Sequence, residues 1–446
     1  MTPEPEAAIP AVPGLPLLGS APALARRPHA FLTALPRHGD LTSVRLGPAR
    51  ACFVNHPDLV HRMLVTDADV FLRGRLFEKA KPFLGEGLVL SEGPHHRRQR
   101  RMIRQAFRHG RLVSYAATVD EVARRRIAAW PPGRPVDLVG ELQRLGFDVA
   151  SHVLFSADAD PRVLETIQHT FPTLLAAIMR RTLAPTDLLE KLPTRSNRAF
   201  AAANREVHEA LDRVIARQRA TGRDTDDLFS ALLAARDENT GRPMTDRQLH
   251  DEVLSILSAG GETTATALTW SAYFVSRHPP LQARLQREAD DVLGDGPPDL
   301  DRLARLALTR RVITEAMRLY PPVWLLTRQA TADAPLGGHT VPAGTNLFYS
   351  PYALQRDERF FDRPHVFDPD RWLPDADERR RRHAYLPFGR GVHGCVGEPL
   401  AWIEAITVLA TVARRWTLEP VPGRSVRPVF RTNVVPRRLL VTPRPR

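Results

Sequence analysis

Residues 387–397 read Pro-Phe-Gly-Arg-Gly-Val-His-Gly-Cys-Val-Gly, so one of the chain's two cysteines, Cys395, stands among four glycines, a histidine and an arginine. A free thiol is only a few per cent thiolate near pH 7, whereas metal coordination deprotonates it outright. The glycines supply backbone freedom and room for a main chain that wraps close to a large flat ligand while presenting one sulfur. A second constellation lies in residues 257–270, Leu-Ser-Ala-Gly-Gly-Glu-Thr-Thr-Ala-Thr-Ala-Leu-Thr-Trp. Two adjacent glycines inside a helix cost about 1 kcal/mol each relative to alanine. Either Gly260 and Gly261 let a bulky group lie against the helix, or they mark a close helix crossing. Thr263 can turn its hydroxyl back to the Ala259 carbonyl and bend the helix locally.

Three readings of the cysteine stretch compete. Gly389-x-Gly391-x-x-Gly394 matches a dinucleotide-binding fingerprint, but that loop needs an apolar strand before it and an acid about 20 residues on. Here Arg379 to Arg382 and Pro387 precede it, and Arg414 and Arg415 lie at that distance. Zinc needs three or four protein ligands, and no other Cys or His stands nearby with metal-site spacing. A cofactor that brings its own ligands and leaves one axial position to the protein, as haem does, remains; a structural cysteine in a Gly-rich turn is the plain alternative. Residues after Gly397 place Leu400, Ile403, Ile406, Val408, Ala410 and Val412 at helical spacing, with Glu398 and Pro399 suited to a first turn. Cys395 therefore sits just ahead of a helix N-terminus, whose amides can tune an anionic sulfur.

Phe388-Gly389-x-Gly391-x-His393-x-Cys395-x-Gly397, followed by Leu400-Ala401, resembles the haem-binding signature of the cytochrome P450 family at every fixed position. The resemblance implies haem b, iron protoporphyrin IX, with Cys395 as axial metal ligand and Pro387, Phe388, Gly389 and Gly397 around the porphyrin. His393 would contact a haem propionate. Ala-Gly-x-Glu-Thr-Thr resembles the family's oxygen-binding groove, in which Ala259 and Gly260 would line the haem and Glu262 and Thr263 would relay protons. Glu315 and Arg318, with Phe367-Asp368-Pro369-Asp370-Arg371-Trp372 downstream, are similar to the family's Glu-x-x-Arg helix and arginine loop. Glu315, Arg318 and Arg371 would then form a buried structural ion network without chemistry of their own. His96 and Arg100, spaced i, i+4, and Arg328 would clamp propionates; His96 stands where many relatives carry Trp and others His.

The elements that must position these residues follow from the pattern. The Pro-rich first thirty residues read as a lead-in that packs on the surface without forming helix. Residues 41–47 and 51–57 read as a hairpin, and Pro57 opens a helix with Leu59, Val60 and Leu64 on one face. From about residue 93 to 319 the pattern is predominantly helical, with breaks at Gly241-Arg242-Pro243 and His278-Pro279-Pro280. Short strands follow around residues 323–350 and 427–443. The reading is a mainly α fold with small β-sheets: residues 1–30 as lead-in and 31–446 as a single domain. Under the resemblance, which runs from about Pro13 to the C-terminus, the haem lies between the long central helix and the cysteine loop.

Composition narrows the function. The 446 residues are 43% hydrophobic and 25% charged, the profile of a globular protein. Two distant cysteines make no disulfide framework, Cys52 reads as a small core residue, and no leader precedes the fold, which points to the cytoplasm. No apolar run approaches the roughly 20 residues a bilayer span needs. The net charge of +13 comes from arginine clusters such as Arg97-Arg98-Gln99-Arg100-Arg101. No recognition motif accompanies them, so a solvated surface or an acidic protein partner is favoured over nucleic acid.

The resemblance implies a monomeric haem-thiolate monooxygenase that takes electrons from a ferredoxin and its reductase, the chain having no credible flavin or NAD(P)H module. A peroxide-driven variant and a non-catalytic haem sensor are rival readings, and neither needs the Glu262-Thr263 pair. The candidate pocket walls, residues 84–90, 171–179, 255–259 and 323–326, are mostly apolar, which predicts a hydrophobic substrate. Residues 12–19, 96–107 and 321–330 are similar to terpene-modifying actinobacterial members, so a terpenoid is expected first, with fatty acid or polyketide as the alternative.

Overall fold

The alternating run after residue 40 forms two strands in the computed structural model of the chain. Leu41–Leu46 (β1) lies antiparallel to Ala49–Val54 (β2), with Leu41 opposite Val54. The structure describes residues 8–156, 192–221, 225–294, 298–374 and 383–446, with isolated positions 166, 170, 173, 174, 177 and 296. Most of the predicted wall 171–179 and the arginine run 379–382 lie outside the described residues. The chain divides into two compact units, Met1–Glu78 with Met317–Cys395, and Lys79–Ala316 with Val396–Arg446.

In the first unit, Phe71–Arg73 (β3), Leu326–Ala330 (β4) and Asn346–Tyr349 (β5) complete a five-stranded sheet in the order β1-β2-β5-β4-β3. The period of two along β2 divides its side chains between two faces. Cys52 and Val54 join Val60, Met63, Leu64 and Leu386 on one side, while Phe53 packs with Leu32, Leu35 and Val44 on the other. Burial raises the Cys52 thiol to about 11, so it is the inert core cysteine that its strand position predicts.

The lead-in departs from expectation. Ala21–Arg26 and Pro28–Ala34 are helices, each with a proline in its first turn. Those prolines read as breakers in sequence, yet a preset φ near −65° and a missing N–H cost nothing at a helix start.

The second unit is helical. Gly93–Arg104 (α1), Leu138–Phe155 (α2), Asp246–Ser276 (α3) and Glu398–Arg415 (α4) are the helices that matter to the site. A capping box starts α3: Gln248 N–H donates to the Thr245 hydroxyl, and Thr245 N–H donates to the Gln248 side chain. The helix stops just before His278, and Pro279 opens the next one.

Packing of α3 on α2 settles the role of one glycine. A Cβ on Gly146 would come within 2.3 Å of the Gly261 carbonyl oxygen, and one on Gly261 within 3.0 Å of the Phe147 ring. Gly261 therefore serves the close crossing, the second of the two readings open to this glycine pair. Gly260 meets only the Ala150 Cβ, at 3.7 Å, an ordinary contact.

Candidate active site

The cysteine stretch is a loop held by its own backbone. Cys395 N–H donates to the Phe388 carbonyl at 2.8 Å, Gly394 N–H to Gly391 at 3.1 Å and Gly389 N–H to Leu386 at 3.3 Å. Gly389 and Gly391 have φ of 66° and 69°, values that side chains resist. Gly391 has a second reason to be glycine, because a Cβ there would lie 2.0 Å from the Leu64 carbonyl oxygen. The result is an exposed Cys395 side chain on a backbone with little freedom to move, two residues ahead of the Gly397 N-cap of α4.

Beside this loop the first unit gathers positive charge. In the β3–β4 register Arg73 stands directly opposite Arg328, an arrangement that is unfavourable for like charges by themselves. Arg73 Nη2 lies 2.9 Å from His393 Nδ1. Arg328 is 4% exposed; its Nη1 donates to the Thr327 carbonyl at 2.8 Å, and its guanidinium stands 5.9 Å from the centre of the Tyr349 ring. Among the described residues no carboxylate pairs with Arg328, and a buried cation without an anion is costly. The residues present thus fit a ligand that carries its own carboxylates, as protoporphyrin does. Arg73 was invisible in sequence because nothing local distinguishes it; only the strand register brings it opposite Arg328.

The scaffold of the loop is a carbonyl-capping network. Glu315 and Arg318 are both fully buried. Arg318 Nη1 donates to the carbonyls of Gln355 and Pro364, at 2.8 and 2.7 Å, and Nη2 to Val366 at 3.1 Å. Arg371 reaches the neighbouring carbonyls of Asp362, at 2.6 Å, and Arg363, at 3.3 Å. Both predicted arginines therefore hold the 355–366 segment. Gln355, which sequence reading missed, joins the parts: its amide donates to Met317 and Arg318 carbonyls at 3.0 Å each and accepts from Leu386 N–H at 2.9 Å. A loop glutamine carries no motif, so its role emerges only from where its two ends land.

In the second unit, the middle of α3 carries the acid and hydroxyl. The Thr263 hydroxyl donates to the Ala259 carbonyl at 2.7 Å, as its position predicts. Asn433 and Arg431 stand near enough to the Glu262 carboxyl to favour its charged form. Burial raises its pKa, opposed by Asn433 and by the charge of Arg431. Residues 431–433 lie in the turn between Pro428–Phe430 and Val434–Pro436, and Trp270 Nε1 donates to the Val434 carbonyl at 2.7 Å, which pins that turn to α3.

On α4, Glu404 is buried, and burial pushes its carboxyl up to about 8, with Thr264 acting against the rise. Nothing local marks Asn433 or Glu404 in the sequence; Glu404 reads as one polar position on an apolar helix.

Further along α3, consecutive acids staple one predicted pocket wall. Asp251 accepts from Glu86 N–H and Glu252 from Leu88 N–H, each at 2.9 Å, and Gln99 of α1 donates to Glu252 at 3.1 Å. Burial raises Glu252 to about 8 against those bonds, with the Asp251 charge adding to the rise. A Cβ on Gly87 would meet the Asp251 carbonyl oxygen at 2.4 Å, so the wall is pressed onto the helix. The structure thereby brings residues 84–90 and 255–259 together. On α1, His96 is buried while Arg97 and Arg104 face solvent, and Arg98 pairs with Asp237 at 2.7 Å. Arg100 is half-buried on the same helix.

Comparison with known proteins supports the same reading. The family model described as Cytochrome P450 matches residues 10–446. Cyclooctatin synthase of Streptomyces melanosporofaciens is 42% identical over 97% of this chain and 95% of its own length. Cyclooctat-9-en-7-ol 5-monooxygenase of the same organism is 42% identical over 92% of this chain and 90% of its own. Pentalenene oxygenase of Streptomyces avermitilis is 38% identical over 95% of this chain and 94% of its own. Among solved structures, the cytochrome P450DA haem domain superposes with a TM-score of 0.88 at 25% identity, covering 99% of this chain and 98% of that one.

Proposed function

The chain belongs to the cytochrome P450 family and is a haem-dependent monooxygenase, and on that premise we propose that it oxidises a terpenoid with electrons from a ferredoxin. The observation that carries the substrate class is the near full-length similarity to three enzymes whose names describe a hydrocarbon, an alkenol and a related product. The apolar wall segments 84–90 and 255–259 suit such a skeleton. Cysteinate-held haem supplies oxygen activation, the thiolate pushing electron density to the iron and favouring O–O cleavage.

The chain's own residues have these roles. Cys395 provides the thiolate from a loop whose backbone bonds fix the sulfur. Arg328 and His393, with Arg73 beside them, neutralise propionates, and His96 and Arg100 serve the same end from α1. Ala259 and Gly260 leave space along the helix. Glu262, its pKa raised by burial, retains a proton closer to neutral pH than an exposed glutamate does, which suits a proton donor. Thr263 commits its own proton to the Ala259 carbonyl, so its oxygen is left to accept and orient a donor. That pair favours the O2-dependent reaction over peroxide use or sensing.

The exposed Arg97 and Arg104 fit an acidic ferredoxin, whose encounter rate complementary charge would raise. The same reading takes the protein as a cytoplasmic monomer; among the described residues no helix is long and apolar enough to cross a membrane.

Two measurements test this. The reduced, CO-bound protein is expected to show a strongly red-shifted Soret band that Cys395→Ser loses; a band unchanged by the substitution removes Cys395 as the ligand. In a binding screen, cyclic terpenes and their alcohols are expected to shift the iron's spin state while fatty acids leave it unchanged, and the reverse pattern overturns the substrate class.

A further inference from the structure

The three most exposed large apolar side chains among the described residues are neighbours. Leu15, Leu17 and Leu18 are 57%, 79% and 54% exposed. They stand on a rigid turn: Leu15 N–H donates to the Gly19 carbonyl at 3.0 Å, and Gly19 N–H returns to Leu15 at 2.8 Å. The turn is clamped onto β1 and the residue after it. Ser20 N–H donates to the Arg45 carbonyl at 2.7 Å, Gly47 N–H to Leu18 at 3.0 Å, and Arg45 Nη2 to the Leu17 carbonyl at 3.2 Å. Leu17 has φ of 61°, a left-handed conformation that a leucine adopts only when its surroundings impose it. Gly19 allows the close approach, since a Cβ there would lie 2.1 Å from the Arg45 carbonyl oxygen. A flexible segment would fold its leucines inward; this backbone holds them in water.

The surrounding charge says what they meet. Between residues 8 and 50 the chain has five arginines, at 26, 27, 37, 45 and 50, and one acid, Asp40. All five arginines are exposed, and Asp40 pairs with Arg359 at 2.7 Å. None of the five is ion-paired among the described residues, and Arg45 stands directly opposite Arg50 in the β1–β2 register. An apolar turn bonded to the exposed Arg45, in a segment that carries four further exposed arginines, matches an anionic bilayer, where leucines enter the acyl boundary and guanidinium groups meet lipid phosphates. A protein partner would need a socket shaped to a convex tip, whereas a fluid interface needs none.

We propose that the Leu15–Gly19 turn docks the enzyme peripherally on anionic lipid, where an apolar substrate concentrates. The full-length holoenzyme is tested by co-sedimentation with vesicles of phosphatidylcholine mixed with phosphatidylglycerol, and with phosphatidylcholine alone. Binding is expected to the mixed vesicles, weaker binding to the neutral ones, and about a tenfold or greater loss in Leu15→Ser/Leu17→Ser/Leu18→Ser. An unchanged melting temperature and visible spectrum show that the variant is folded. Should the triple variant fail to fold, Leu17→Ser alone, at the most exposed position, is expected to lose about threefold. Equal binding of variant and parent, or no binding of the parent to anionic vesicles, overturns the proposal. A parent that dimerises in light scattering while the variant stays monomeric also overturns it, by assigning the turn to a second copy of the chain.

Discussion

The cysteine loop and the middle of α3 solve the problem of placing a reactive group in opposite ways. In the loop, position is decided by backbone: two positive-φ glycines, three main-chain hydrogen bonds and one contact with the Leu64 carbonyl leave little choice about where Cys395 stands. On α3 the backbone is an ordinary helix, and what distinguishes Glu262 is its burial and the Asn433 and Arg431 groups that reach it from about 170 residues away in sequence. Place can be encoded locally; the state of a proton depends on everything packed around the group that holds it.

Gly391→Ala presses hardest on that contrast. It adds both positive-φ strain and a 2.0 Å clash with backbone, so a stability loss of about 3 kcal/mol or more and poor haem retention are expected in denaturation and pigment assays. Gly389→Ala shares the strain but meets nothing nearer than 3.9 Å, and should lose about 1 kcal/mol. Equal losses would mean that contact with Leu64 does not hold the loop.

Thr263→Ala should leave the fold intact while uncoupling the reaction: NAD(P)H consumption continues, product falls about tenfold and hydrogen peroxide appears. Undiminished product per electron pair would remove Thr263 from proton handling.

Glu404→Gln probes the nonlocal half through stability. The carboxyl, ordinarily near 4.5, is raised to about 8 by burial, so the folded chain binds its proton more tightly than the unfolded chain. Its contribution is complete below about pH 4.5, is lost as pH rises toward 8 and is flat above. Glutamine fills the same space and cannot ionise, so the variant should gain on the parent steadily from pH 5 to pH 8, by on the order of 2 kcal/mol at the upper end. Melting temperatures that run parallel across that range would show that Glu404 does not titrate in the buried state.

The smallest effect is expected for Gly260→Ala, whose Cβ would meet only Ala150 at 3.7 Å; apo-protein stability should rise by up to about 1 kcal/mol. A large loss would place Gly260 in the α2 crossing beside Gly261.

Much of the fold was legible because its signals are short-range. The alternation of β1 and β2, the capping box of α3 and the Pro279 break depend on residues within a few positions of one another. The same locality made the cysteine loop readable, since its glycines and its bonds lie within ten residues. It also produced the error at the N-terminus, where Pro22 and Pro28 carry opposite meanings at a helix start and in its interior, and only the chain's path decides which applies.

By itself, then, the sequence marked the cysteine loop, the acid–threonine step on a long helix and the paired arginine elements, because residue type and spacing along the backbone suffice for each. Tertiary structure alone decided that Gly261 belongs to a helix crossing, that Arg73 stands opposite Arg328, that Gln355 ties the scaffold to the loop, and that the surroundings of Glu262, Glu252 and Glu404 raise their pKa values. Strand register, interhelical distance and desolvation are set by residues far apart in the chain, and no local pattern records them.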